Sequence, residues 1–192
     1  MSTLSEKNEI MTTSLFDDKD IELIRKKIRD VPDFPKKGII FKDITPILQD
    51  FRALITTSKL LLRPFEGQNV DLIAGIESRG FIFGTRLATD LNAGFVPIRK
   101  PNKLPADKIS VEYDLEYGTD QLEMHSDAIR KGDRVVIHDD LMATGGSARA
   151  ASELITSLGG IVVAYSFVLE LTFLNGKTKL ESGTPVHSLL KI

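Results

Sequence analysis

The sequence predicts an α/β fold built on a parallel sheet, and three stretches carry that prediction. Arg134 to Ile137 has strand character and runs into Asp139-Asp140 and a small loop; Ala148 to Leu158 then reads as a helix stopped by Gly159-Gly160, and Ile161 to Leu169 is another apolar strand. Strand, loop, helix, strand is the sequence form of a parallel βαβ unit, which puts the loop at the carboxyl edge of the sheet. Asp71 to Ile76 repeats the pattern, with a polar turn and the helical stretch Phe81 to Leu91 behind it, and Phe95 to Ile98 adds a third short strand.

The totals limit what such a fold can do. A chain of 192 residues suits one domain with a single sizeable core, and residues 17–192 are read as that domain. With 42% hydrophobic and 27% charged residues and a net charge of −2, no basic excess argues for nucleic acid. Zero cysteines exclude disulfides, a thiolate nucleophile and a zinc–thiolate site. His125, His138 and His187 are scattered and form no helical metal pair. The longest nearly apolar run, about residues 160–171, is too short to span a membrane. The N-terminus lacks a basic region followed by an apolar core, so a cytoplasmic setting is the default expectation.

Residues 1–16 read as a disordered tail. From Asp17, the residues Ile21, Ile24, Ile28 and Val31 recur at helical spacing, with acids opening the segment and Arg25, Lys26, Lys27 and Arg29 closing it in accord with the macrodipole. Pro32 and Pro35 break that helix. Ile39 to Ile44 is a strand-like piece, too short and too proline-flanked for the main sheet, and reads as part of a small accessory lobe. Asp50 to Leu62 is predicted helical, with Phe51, Leu54, Ile55 and Leu61 in the core. Between the third strand and Arg134, the alternation Ile109, Val111, Tyr113, Leu115, Tyr117, a Gly118-Thr119-Asp120 turn, then Leu122 and Met124 predict a hairpin. An Asn175-Gly176 turn and a last strand near Val186 to Leu190 close the chain.

The loop after Asp140 suits an anion. Gly145 and Gly146 allow close backbone approach, and the amides from Ala143 to Ser147 sit at a helix N-terminus, where free N–H groups and the dipole attract negative charge. Thr144 and Ser147 add hydroxyl donors, and the carboxylates of Asp139 and Asp140 are good acceptors for sugar hydroxyls beside a phosphate. The same residues also make an ordinary strand end with a helix cap, and the loop alone does not separate the two readings. Arg99, Lys100 and Lys103, three cations in five residues, suit a dense anion such as pyrophosphate, though a solvated basic turn is equally compatible. The turn Glu77-Ser78-Arg79-Gly80 offers an arginine and backbone amides.

Val135-Val136-Ile137-His138-Asp139-Asp140-Leu141-Met142-Ala143-Thr144-Gly145-Gly146-Ser147 resembles the phosphoribosyl-pyrophosphate (PRPP) motif of type I phosphoribosyltransferases. Asp33-Phe34-Pro35 through Thr45-Pro46, the Gly75 to Phe81 turn and Leu115-Glu116-Tyr117-Gly118 further resemble the adenine phosphoribosyltransferases, over about residues 17–190. That resemblance implies a central, mostly parallel five-stranded sheet flanked by helices, a hood within about residues 17–46 and a flexible hairpin flap at about 103–120. It implies transfer of the phosphoribosyl group from PRPP to adenine, giving AMP and pyrophosphate, with Mg²⁺, in a homodimer without nucleic-acid or membrane partners. By the same resemblance Ala143, Thr144, Gly145, Gly146 and Ser147 hold the 5′-phosphate, and Asp139 and Asp140 hold ribose hydroxyls and assist the metal indirectly. Glu77, Ser78, Arg79, Arg99, Lys100 and Lys103 face pyrophosphate, with a cis peptide expected between Glu77 and Ser78. Ile40, Phe41, Lys42 and Leu141 bind adenine, and Glu116 is the acid/base group.

Two positions depart from the family pattern. Lys42 stands where many relatives carry arginine, and His138 stands where an aliphatic residue is commoner; the latter reads as a core histidine with a satisfied ring nitrogen rather than a catalytic one. The alternatives are transfer to another purine base, or a non-catalytic PRPP- or nucleotide-sensing regulator. The hood sequence and Leu115 to Gly118 argue against the first. The short N-terminal tail, whose one basic residue is Lys7, argues against the second.

Overall fold

The structure is a computed structural model and describes residues 18–114 and 118–192. The chain divides into two compact units, parted between Arg63 and Pro64, so the smaller one runs past the 17–46 hood. Its first helix, α1, spans Asp18–Arg25, with Asp18 and Asp20 in the first turn and Arg25 in the last. The helix ends there rather than at Val31. Strand β1 (Arg29–Pro32) pairs antiparallel with β2 (Ile40–Asp43), so Ile28 and Val31 do not continue the helix that their spacing predicts. The reason lies in Pro32: it disfavours helical geometry at Val31, and strand pairing satisfies the backbone that the helix would have left open.

A buried aspartate fixes this small sheet. Asp43 accepts from Arg29 Nε (3.0 Å), Thr45 N (2.8 Å) and Thr45 Oγ1 (2.8 Å). Burial alone would raise its pKa, but these bonds and the Arg29 charge outweigh it and hold the carboxyl below its ordinary range. A short helix α2 (Thr45–Gln49) leads to α3 (Phe51–Leu62), where Asp50 caps the N-terminus by accepting from Ala53 N at 3.0 Å. The face α3 buries is Ala53, Thr57, Leu60 and Leu61, while Phe51 is 78% exposed and Ile55 36% exposed, against the predicted core positions. The helix carries apolar residues on two faces, and packing against α1 selects the one with the smaller side chains.

The larger unit holds β3 (Leu72–Ile76), α4 (Gly80–Leu91), β4 (Gly94–Ile98), β5 (Lys108–Asp114), β6 (Thr119–His125), β7 (Arg134–Met142), α5 (Gly146–Ser157), β8 (Ile161–Glu170) and β9 (Val186–Lys191). Five strands form one parallel sheet in the order β4-β3-β7-β8-β9. Strand alternation sends Ala74, Val96, Val135 and Ile137 into the cluster that contains Ala151, Leu154 and Ile155 of α5. Ile73, Phe95 and His138, one residue along, lie beside Gly84 of α4. The two helices therefore cover opposite faces. Hairpin β5–β6 forms a separate antiparallel pair, seated by Leu122 and Met124, both 0% exposed, and bridged to Arg99 at Glu123.

After β3 the chain turns to one side of the sheet, and after β4 it returns to place β7 on the other. The loops following β3 and β7 therefore diverge at a topological switch point, where open α/β sheets bind ligands. Contact there is close: a Cβ at Gly80 would stand 2.7 Å from His138 O and 3.2 Å from Asp139 Cα. His138 is fully buried beneath this point; its Nδ1 lies 3.1 Å from Ser166 Oγ, and burial pushes its pKa down to about 4. Its Nε2 has no partner among the described residues, so one ring nitrogen is satisfied and the other is not.

Two outcomes follow from these contacts. A neutral native His138 leaves the unfolded chain binding the extra proton between its ordinary value of 6.5 and about 4, so stability should fall as pH drops through that window. His138→Asn should remove up to about 3 kcal/mol of the stability change across that window, read as denaturant midpoints at several pH values; an unchanged pH dependence would show that the histidine does not carry it. Gly80→Ala gains at most about 1 kcal/mol in helix propensity, but overpacking typically costs about 1–3 kcal/mol. A net loss of thermal stability is expected.

Candidate active site

Strand β7 delivers its two acids differently. Asp140 is 2% exposed and accepts from Arg79 Nε at 2.5 Å, whereas Asp139 keeps an accessible edge and accepts from the Asp140 amide at 2.8 Å. Burial pushes the Asp139 carboxyl well above the ordinary carboxylate range, and the neighbouring Asp140 charge adds to the shift. The Arg79–Asp140 pair joins the loops on the two sides of the switch point. Arg79 thus reaches the acids.

Beyond the acids, Gly145 adopts φ +79° and ψ −1° as the N-cap of α5. No side chain caps this helix and no acid lies in its first turn. The helix begins at Gly146 rather than Ala148, so Gly146 and Ser147 belong to that turn and contribute their amides to its open end. A cavity of about 210 Å³ is lined by Tyr113, Leu141 to Gly145, Ser147, Ala148 and Phe167. An uncapped helix start facing a cavity can receive an anion, because the orphan amides and the dipole act together.

The basic turn after β4 is organised by carboxylates. Glu77 accepts from Arg99 Nε (2.9 Å) and from the Lys100 amide (2.8 Å), while its own amide donates to Ile98 O (2.9 Å). Burial would raise the Glu77 pKa, but Arg99, the Lys100 amide and the nearby Lys103 charge outweigh it and lower it. Lys100 Nζ bonds Tyr113 Oη (2.8 Å) and the Asp120 carboxylate, which ties the turn to the hairpin. Burial opposes the Lys100 charge, but these two partners raise its pKa above the ordinary lysine value. Glu123, 5% exposed, accepts from Asn102 N (3.0 Å) and lies 3.1 Å from Lys108 Nζ. Arg99 also lies 5.7 Å over the Phe81 ring, and Lys103 is exposed. The peptide between Glu77 and Ser78 is cis.

The large unit therefore brings together Glu77, Arg99 and Lys100 through direct bonds, Arg79 with Asp140 through another, and Asp139, Asp140 and the 143–147 loop along one edge. Leu141 lines the same cavity as the loop. In the small unit Ile40 is 56% exposed, Phe41 packs edge-on against Phe34 with ring centres 5.2 Å apart, and Lys42 Nζ sits 2.8 Å from Asp30 on the facing strand. Glu116, with Leu115 and Tyr117, lies outside the described residues. Tyr113, Asp120 and Glu123, which hold the basic turn, carry no mark in the sequence beyond strand alternation. Among the described residues no three His, Cys, Asp or Glu side chains gather as a metal cage. Asp139 and Asp140, two adjacent carboxylates beside the loop, suit a hard cation held mostly by oxygens from outside the chain.

The phosphoribosyl transferase domain family matches residues 41–187. An adenine phosphoribosyltransferase of Flavobacterium johnsoniae is 56% identical over 167 residues, 87% of this chain and 98% of that protein. The crystal structure of the Rhodothermus marinus adenine phosphoribosyltransferase is 50% identical and superposes with a TM-score of 0.88, covering 92% of this chain and 100% of that one. The Saccharomyces cerevisiae adenine phosphoribosyltransferase, complexed with adenine and an imino-altritol bisphosphate, is 43% identical with a TM-score of 0.82, covering 90% and 99%. Together with the parallel sheet, its switch point and the uncapped loop, these likenesses establish the family: the chain belongs to the adenine phosphoribosyltransferases, within the phosphoribosyl transferase domain family.

Proposed function

We propose that the loop and the basic turn divide PRPP between them while the chain transfers its phosphoribosyl group to adenine. The carrying observation is the uncapped N-terminus of α5, entered through Gly145, directly after Asp139 and Asp140. Ala143 to Ser147 take the 5′-phosphate on backbone amides and the hydroxyls of Thr144 and Ser147. Asp139 and Asp140 take the ribose hydroxyls. Pyrophosphate is met by Arg79, Arg99, Lys100 and Lys103 with the Glu77-Ser78 backbone. On the family resemblance, the residues that meet adenine are Ile40, Phe41, Lys42 and Leu141.

In the reaction the bond from the anomeric carbon to pyrophosphate breaks, the bond to the imidazole nitrogen of adenine forms, and the proton on that nitrogen leaves. Positive charge grows on the ribose while negative charge grows on the departing pyrophosphate. Cations held in place beforehand favour that separation, and fixing both reactants supplies the proximity term. When bound, Mg²⁺ would neutralise pyrophosphate oxygens, with Asp139 and Asp140 holding it indirectly. Burial and the Asp140 charge raise the Asp139 pKa, and a cation held beside it would favour the charged form. The proton goes to Glu116. On the family resemblance the chain works as a cytoplasmic homodimer, and no helix among the described residues is long and apolar enough to cross a membrane.

Incubation with PRPP, Mg²⁺ and each nucleobase separately should give AMP from adenine, with 6-oxopurines much poorer; preferred turnover of a 6-oxopurine would overturn the base assignment. Glu116→Gln keeps shape and removes the basic oxygen. Turnover should fall about 10²- to 10⁴-fold with PRPP affinity little changed. Near-normal turnover under conditions where chemistry limits the rate would remove Glu116 from the proton transfer.

A further inference from the structure

We infer that the turn from Asn175 to Lys179 is a backstop for the phosphate loop, with Gly176 as its positioning residue. The inference rests on the reading that residues 143–147 hold the 5′-phosphate. Gly176 is buried while Asn175 and Lys177 beside it are exposed. A Cβ on Gly176 would stand 2.3 Å from Ala143 O and 3.0 Å from Gly145 N; a Cβ on Gly145 would stand 2.3 Å from Gly176 O. The contact is reciprocal and lies between two backbones, so no side chain can rotate away to relieve an added carbon. Any substituent at Gly176 must move the loop or the turn.

The turn is itself held from behind. Thr178 N donates to Asn175 O (3.1 Å) and Leu180 N to Lys177 O (3.1 Å), and Leu180 is buried in the same cluster as Ala148 and Ala151 of α5. Lys177 Nζ lies 3.3 Å from Glu170 Oε2, which also accepts from Ser188 Oγ at 2.8 Å. Leu171 N donates to Met142 O (2.9 Å), which fastens the start of the connector to the last residue before the loop. The end of β8, the turn and the phosphate loop thus form a continuous stack. A cradle of backbone amides has no rotamers with which to correct an error, so the surface it rests on sets where its donors point.

The experiment measures KM for PRPP, KM for adenine and kcat, with PRPP binding by calorimetry, in four variants of the full chain. Gly176→Ala should raise the PRPP KM about tenfold to a hundredfold, the loss that an ångström-scale misplacement causes, with the adenine KM within about twofold of the parent. Gly183→Ala is the control: that glycine has φ +90° with open space around it, so the change strains the connector without touching the loop. It should lower the melting temperature and leave the PRPP KM alone. Glu170→Gln keeps the Ser188 bond and removes the charge that anchors Lys177, and should raise the PRPP KM by a smaller factor. Gly146→Val tests the underlying reading. If it weakens PRPP binding while folded Gly176→Ala keeps the parent KM, the backstop is wrong and the loop stands. If Gly146→Val leaves PRPP affinity unchanged in a folded protein, the loop assignment fails and the backstop with it. An equal KM rise in Gly183→Ala would reduce the effect to general destabilisation and overturn the inference. Should Gly176→Ala not fold, an unchanged PRPP KM in Glu170→Gln overturns it instead.

Discussion

The ligand edge of this protein depends on one steric constraint, the absence of a side chain at Gly80. The start of α4 lies against the backbone of His138 and Asp139, and a Cβ there would stand 2.7 Å from a carbonyl oxygen. Because the chain leaves β3 and β7 in opposite directions, this contact brings two loops of different chemistry to one place. The Arg79–Asp140 pair closes over it. Asp140 is 2% exposed, and an uncompensated charge so deeply set would cost several kcal/mol, whereas exposed pairs such as Arg25–Glu22 contribute about 0–1 kcal/mol. The pair is therefore a condition of the loop geometry more than a source of stability.

Charge is handled the same way across the basic turn. Arg99, Lys100 and Lys103 lie within five residues and would repel one another if left alone. Glu77 holds Arg99, Asp120 holds Lys100, and Glu123 binds the backbone at Asn102. Each bond commits part of a cation's donor set and leaves the rest. A guanidinium with one nitrogen engaged still presents a fork to an anion, and an ammonium with two partners retains a third proton. The cations are in place before any anion arrives, and their organisers are acids from only two places, Glu77 in the turn after β3 and Asp120 with Glu123 on β6.

What the sequence made legible follows from what is local. The strand–loop–helix units at 71–91 and 134–158 could be read because their periodicity changes sharply at glycines and acids, and because parallel strands buried on both faces are nearly continuous apolar runs. The helical period runs on through Ile28 and Val31 by chance, where Pro32, the next residue, forbids the helix. Phe51 and Ile55 were misplaced because hydrophobicity does not say which of two apolar faces will find a partner. The organiser Glu123 looks like any polar residue on a hairpin strand and Asp120 like part of the Gly118-Thr119-Asp120 turn, although β6 already begins at Thr119; only the pairing of β6 with the exit of β4 at Arg99 gives them work. Gly176 reads as half of an ordinary Asn-Gly turn, and the loop it meets is more than thirty residues away in the chain.

These gaps share a cause. The 143–147 loop announces itself because its features are in its own backbone: a left-handed Gly145, no side-chain cap, no acid in the first turn. Nothing in those residues fixes where the loop sits. A binding group made of side chains can be tuned by rotamers within its own element, and its errors are partly self-correcting. A group made of amides takes its position from whatever it is packed on, here Gly176 on one side and the end of β7 on the other. The more a site relies on backbone donors, the more its accuracy is delegated to residues that touch no ligand. In this protein the loop proposed to hold phosphate and the turn proposed to aim it meet only in the folded structure.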